Sequence, residues 1–164
     1  MDNSILKLVT KIAFQLKTKQ LHLATAESCT GGLLAAAITE LPGSSEYFDR
    51  GFVVYSETSK HEELGISYRM LKKFGAVSRE IAKVMAKRVL LNSHAEITIA
   101  ITGFAGPTAS PDSLFPPGIV FFAAIYNNKV TEISKHFSGN RNQIRNEAVK
   151  FALKLLLTIL KSET

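Results

Sequence analysis

Leu21-His22-Leu23-Ala24-Thr25-Ala26-Glu27-Ser28-Cys29-Thr30-Gly31-Gly32-Leu33-Leu34-Ala35-Ala36-Ala37-Ile38 decides the fold. Its first six residues read as a buried strand. The pair Gly31-Gly32 then opens a helix through Leu33 to Ile38, which is expected to end near Pro42-Gly43. Strand, tight turn and helix in that order form the first half of a βαβ unit, whose two strands must run parallel.

Working outward, Ile5, Leu8, Val9, Ile12, Ala13 and Leu16 recur at helical spacing and predict an amphipathic first helix. Gly51 to Tyr55 reads as a second strand, with a helix starting near Ser56, and Ile81, Val84, Met85 and Val89 mark another amphipathic helix. Glu96 to Thr102 is a third strand that runs into the loop Gly103-Phe104-Ala105-Gly106-Pro107. The apolar runs Ile119 to Tyr126 and Val130 to Phe137 flank Asn127-Asn128-Lys129 as an antiparallel hairpin. A long last helix carries Ile144, Ala148, Phe151, Leu155 and Ile159 on one face. The pattern predicts an α/β fold: a three-layer α/β/α sandwich around a mixed, mostly parallel sheet of about five strands.

At 164 residues and 46% hydrophobic content, the chain suits a single domain, 1–164, with its own core. Its one cysteine, Cys29, rules out an intramolecular disulfide. Lys7 and Lys11 interrupt the N-terminal apolar residues, which argues against a signal peptide or membrane span and for a cytoplasmic protein. The net charge of +6 is spread along the sequence without a long basic run, so neither a nucleic acid nor a membrane is the expected partner. A homodimer or larger homo-oligomer is expected from the habit of small α/β enzymes.

Ligands of such sheets bind outside the carboxyl ends of the strands, which directs attention to the loops after Ala26, Tyr55 and Thr102. In the first, Ser28 is either a nucleophile or, with Thr30, a helix cap, and the Gly31 and Gly32 amides can meet an oxyanion or phosphate. Cys29 lacks a histidine arrangement that would activate it and reads as a buried small hydrophobe. Glu27 is an acid or base, a ribose ligand or the partner of a basic residue.

In the second loop, Ser56 as a helix cap would put Lys60 in the opening turns, where the dipole and burial lower the pKa of an amine. The alternative is a solvated surface lysine. In the third, Thr102, Gly103 and Gly106 form either a substrate-facing turn or an ordinary strand exit. Arg141 and Arg145 share one face of the last helix near its start, where they either attract an anion or remain solvated. No spacing of His, Cys or Asp calls for a metal, Walker A and dinucleotide-binding glycine patterns are absent, and no cofactor is expected.

Taken together, the blocks Thr25 to Gly32, Pro42 to Ser45, Phe48 to Ser56, Gly75 to Ser78, Thr102 to Pro107 and Phe137 to Arg141 resemble the CinA C-terminal domain family, known also as PncC, in the family's order and spacing. The resemblance implies a metal-free nicotinamide-nucleotide amidase of pyridine-nucleotide salvage. Such an enzyme converts nicotinamide mononucleotide to nicotinic acid mononucleotide and ammonia. It further implies Ser28 as nucleophile, Lys60 as base and Tyr55 as the third catalytic residue. Glu27, Thr30, Gly31, Gly32, Thr102, Gly103, Gly106, Arg141 and Arg145 would then line the nucleotide pocket. The stretch Thr108 to Gly118 departs from the family's glycine-rich, lysine-bearing pattern, so a nucleotide-binding module without turnover is the alternative.

Overall fold

In a computed structural model of the chain, describing residues 3–109, 111 and 113–162, the alternation of strands and helices builds three layers. The elements in order are α1 (Asn3–Lys19), β1 (Leu23–Glu27), α2 (Leu33–Ile38), β2 (Phe48–Val53), α3 (Glu57–Leu64), α4 (Tyr68–Phe74), α5 (Arg79–Leu91), β3 (Ile97–Gly103), β4 (Ile119–Tyr126), β5 (Lys129–His136) and α6 (Arg141–Lys161). The five strands lie in the order β2-β1-β3-β4-β5. β1 pairs in parallel with β2 and β3, and only β4 runs against the other four.

Strand alternation divides the core. Leu23, Ile97, Ile99, Ile101 and Phe122 face α1, α2 and α6, whereas Ala24, Ala26, Ala100 and Ala123 face α5 and its neighbours. All five residues of β1 are buried, as expected of a central strand covered on both faces. The small residues on the α5 side let that helix come close, and the Thr98 hydroxyl donates to the Ala86 carbonyl at 3.1 Å. The hairpin closes on Asn127 and Asn128 with φ of 49° and 61°, a left-handed pair suited to a two-residue turn.

Several boundaries differ from the sequence expectation: β1, β3 and β5 are displaced by one or two residues, and larger differences occur in β2 and α2. β2 starts at Phe48 and ends at Val53, because Phe48 and Arg50 already pair with Leu23 and Ala24. α2 stops at Ile38, where the Thr39 N–H turns back to the Ala35 and Ala37 carbonyls, five residues before Gly43. The short α4, capped by Ser67, is additional. Among the described residues no helix is long and apolar enough to cross a membrane.

β1 is followed by α2 on one face, and the chain after β2 returns past β1 to β3 by way of α5 on the other. The carboxyl ends of β1 and β3 therefore flank the crevice in which sheets of this order bind ligands.

Candidate active site

Ser28 is the first residue beyond β1. Its N–H donates to the Ile101 carbonyl at 2.9 Å, extending the β1–β3 ladder and fixing the backbone that carries the hydroxyl. Opposite it, Ser56 caps α3: its side chain accepts the Ser59 N–H while the Ser59 hydroxyl accepts the Ser56 N–H. That cap starts the helix so that Lys60, its fourth residue, points inward. The side chain of Lys60 is buried, at 1% exposure, and its Nζ lies 3.1 Å from Ser28 Oγ, 2.9 Å from the Val54 carbonyl and 3.5 Å from the Tyr55 carbonyl.

Burial disfavours the ammonium and pushes the Lys60 pKa down from 10.5 to about 8, with the negative potentials of Cys29 and Glu57 acting weakly the other way. A neutral amine has two hydrogens and one lone pair. With the hydrogens given to Val54 and Tyr55, the lone pair faces the Ser28 hydroxyl, the arrangement a general base needs. The surface-lysine alternative is thereby excluded.

The other residues of this loop are used by the protein itself. Glu27 is buried, and its carboxylate accepts the N–H groups of Gly32 (3.1 Å), Leu34 (3.0 Å) and Ala35 (2.8 Å). It thus satisfies the start of α2 in place of the Ser28 or Thr30 cap weighed from sequence, and Gly32, at the N-cap with φ 94°, contributes no side chain. The Gly31 N–H goes to the Ser28 carbonyl at 3.0 Å, so neither glycine amide faces the cavity as an oxyanion donor. Thr30 is fully buried, and among the described residues its hydroxyl has no hydrogen-bond partner. Cys29 is buried, which pushes its thiol up to about 12 and makes it a poor nucleophile.

Thr102 is buried too, its hydroxyl donating to the Ala76 carbonyl at 2.9 Å. A Cβ on Gly103 would stand 2.6 Å from the Ile119 carbonyl oxygen, so the close approach of β4 requires this glycine. Arg141 opens α6 and bridges two loops: Nη1 donates to the Gly106 carbonyl (2.9 Å) and Nη2 to the hydroxyl of the exposed Tyr55 (2.6 Å). Arg145, one turn on, donates from Nη2 to the Thr30 carbonyl (2.9 Å) and packs where Gly31 lacks a side chain.

A cavity of about 290 Å³ opens over the pair, and its walls include Ser28, Tyr55, Lys60, Gly103 and Arg141 among the expected residues. Glu27, Thr30, Gly31, Gly32, Thr102, Gly106 and Arg145 are not among the residues that line it. Sequence reading assigned no site role to Glu57, Val77 and Phe104, which also line it. Glu57 was recoverable in principle, since it lies three residues before Lys60 at the start of the same capped helix. Within the divergent loop, Thr108 reaches the cavity, while Ser110 and Asp112 lie outside the described residues.

Comparison with known proteins identifies the relatives of this chain. The family described as CinA C-terminal domain matches residues 5–160. The chain is 41% identical over 152 residues to the nicotinamide-nucleotide amidohydrolase PncC of Enterobacter agglomerans, covering 92% of each protein. It is 40% identical over 151 residues to a CinA-like protein of Syntrophobacter fumaroxidans, of which it spans 35%, and it spans 37% of the Caldicellulosiruptor saccharolyticus relative it matches at 45% identity. The chain thus covers little more than a third of several relatives and nearly all of another. Among solved structures, the CinA superfamily protein of Escherichia coli superposes with a TM-score of 0.92 at 34% identity, over 97% of this chain and 92% of that one. The competence/damage inducible protein CihA of Agrobacterium tumefaciens gives 0.92 at 38% identity, over 97% of both. With the family matching residues 5–160 and a solved structure of the CinA superfamily superposing over nearly the full length, the chain belongs to the CinA C-terminal domain family.

Proposed function

We propose that the protein is a serine amidohydrolase acting on the carboxamide of nicotinamide mononucleotide, releasing ammonia and nicotinic acid mononucleotide. The observation that carries this reading is the buried Lys60 amine 3.1 Å from Ser28 Oγ, with its pKa brought down to about 8. A likeness in name adds support, since a relative of matching length is called a nicotinamide-nucleotide amidohydrolase.

Neutral Lys60 takes the Ser28 hydroxyl proton as Oγ bonds to the carboxamide carbon, whose carbonyl electrons move to oxygen. Of the turn amides, Gly31 donates to the Ser28 carbonyl and Gly32 to Glu27, which leaves the N–H groups of Cys29 and Thr30, next after the nucleophile, as the candidates for that oxyanion. Collapse breaks the C–N bond, and the Lys60 ammonium returns the proton to departing ammonia. A water then gives one proton to Lys60 and attacks the acyl ester; Ser28 leaves and regains that proton. Tyr55 and Arg141 border the cavity and belong to its substrate-binding wall.

The test is ammonia release from nicotinamide mononucleotide by wild-type protein, Ser28→Ala and Lys60→Met. Activity in the wild type that falls at least about a thousandfold in both variants is expected for a nucleophile and its base. Full activity in Ser28→Ala would refute the mechanism, and mononucleotide binding without ammonia release would replace it by a non-hydrolytic pocket.

A further inference from the structure

The Ser28 cavity is small for a nucleotide. Its volume of about 290 Å³ sits at the lower limit of the roughly 300–1,000 Å³ typical of sites that enclose drug-sized ligands. Beside it lies a larger cavity of about 460 Å³, and Glu57, Ala76, Val77 and Phe104 line both. The far wall of the larger cavity includes Lys72, Lys73, Phe74 and Phe115. The two are neighbouring chambers of one cleft, with Glu57 and Phe104 where they meet.

We propose that the larger chamber is the phosphoribosyl subsite of this cleft, with Lys72 and Lys73 as the cations that meet the 5′-phosphate of an N-ribosylated pyridine carboxamide. The assignment rests on the amidase reading for the identity of the reacting end. It displaces the expectation that Arg141 and Arg145 take the phosphate. Both terminal nitrogens of Arg141 already donate, to Gly106 and Tyr55, and Arg145 donates to Thr30 and does not line the cavity. The lysines are differently placed. Lys73 Nζ stands 5.0 Å above the Phe74 ring, and among the described residues neither lysine forms an ion pair with a carboxylate.

The chemistry along the cleft follows the order of such a ligand. Ser28 and Lys60 meet the carboxamide in the small chamber. A pyridinium carries positive charge, which the aromatic face of Phe104 and the carboxylate of Glu57 both complement. The same carboxylate is an acceptor for ribose hydroxyls. Two ammonium groups at the far wall then match a phosphate, each as a charge-assisted donor. The position of the lysines in the last turn of α4 also suits the helix dipole, which favours cations there whether or not a ligand is bound. The test therefore has to separate a phosphate contact from a helix-end preference.

The measurement compares wild type with the double variant Lys72→Met/Lys73→Met on nicotinamide mononucleotide and on nicotinamide riboside, which lacks the phosphate. The expected result is a KM for the mononucleotide raised by about tenfold or more, a kcat within about twofold, and unchanged kcat/KM for the riboside. Unchanged mononucleotide kinetics, or an equal loss on both substrates, would overturn the assignment. Should the wild type release no ammonia, the amidase reading fails and the subsite is tested by calorimetric titration with ribose 5-phosphate. Binding weakened about tenfold in the double variant supports the subsite. No binding, equal binding, or a loss in Arg141→Met instead of the lysine pair overturns it.

Discussion

Replacing Lys60 by Met removes the charge while keeping an unbranched side chain of similar reach in a site only 1% exposed. In the folded protein the lysine's pKa is about 8, against 10.5 for the free side chain, so folding at neutral pH forces a cation into a place that disfavours it. The difference corresponds to roughly 3 kcal/mol of destabilisation, fully present below pH 8 and relieved as pH rises toward 10.5, because in that window the unfolded chain holds the proton that the folded one has lost. Met carries no such term, although it leaves the Val54 carbonyl and Ser28 hydroxyl without their partner, at about 1 kcal/mol each. Urea unfolding at pH 7 and pH 9.5 reads the result. The advantage of Lys60→Met over wild type should shrink by about 2 kcal/mol between the two, whatever its absolute value. The same ionisation should appear in catalysis: kcat/KM at pH 7 is expected at about a tenth of its alkaline plateau and at half near pH 8. Parallel stability curves for the two proteins, together with a pH-independent kcat/KM from 6.5 to 9, would refute the depressed amine and with it the base.

Three further outcomes are expected. Glu27→Gln should cost roughly 2–3 kcal/mol in urea unfolding, because an amide offers one acceptor and two unwanted donors to the three N–H groups the carboxylate now holds. Arg145→Ala should lower kcat about tenfold with KM in place, since its contact is the Thr30 carbonyl behind the nucleophile's turn. A raised KM at constant kcat would instead make it a substrate ligand. Gly103→Ala should destabilise by about 1–3 kcal/mol or more, read as a lowered urea midpoint, because its methyl would meet the β4 backbone at 2.6 Å.

Much of this architecture is written in local pattern. The run from Leu21 to Ile38, the Asn127-Asn128 turn and the stripe on the last helix each report a short-range preference, and the structure agrees at each. So does the Ser56 cap that sets Lys60 at the fourth position of its helix. What escapes sequence reading is pairing across the fold. Glu27 offered several polar roles, and only the return of α2 over β1 shows that its carboxylate serves three helix amides. Arg141 and Arg145 look equivalent at four-residue spacing, yet one borders the cavity and the other donates to the Thr30 carbonyl without lining it. The offset of β2 has the same origin: Phe48 and Arg50 are recruited by their partners in β1, which no periodicity within Gly51 to Tyr55 encodes.

The Lys60 amine, the base of the proposed reaction, is aimed by main chain. Two carbonyls, of Val54 and Tyr55, hold the Lys60 amine, and every residue type supplies a carbonyl. Side-chain replacement at the exposed Tyr55, which borders the cavity, thus leaves the orienting carbonyl in place, whereas the Val54 side chain is held in the core. Insertions and deletions are another matter, because one residue more or less between Val53 and Ser56 would move both carbonyls off the amine. Within this segment, the placing of the amine depends on the number of residues more than on their side chains.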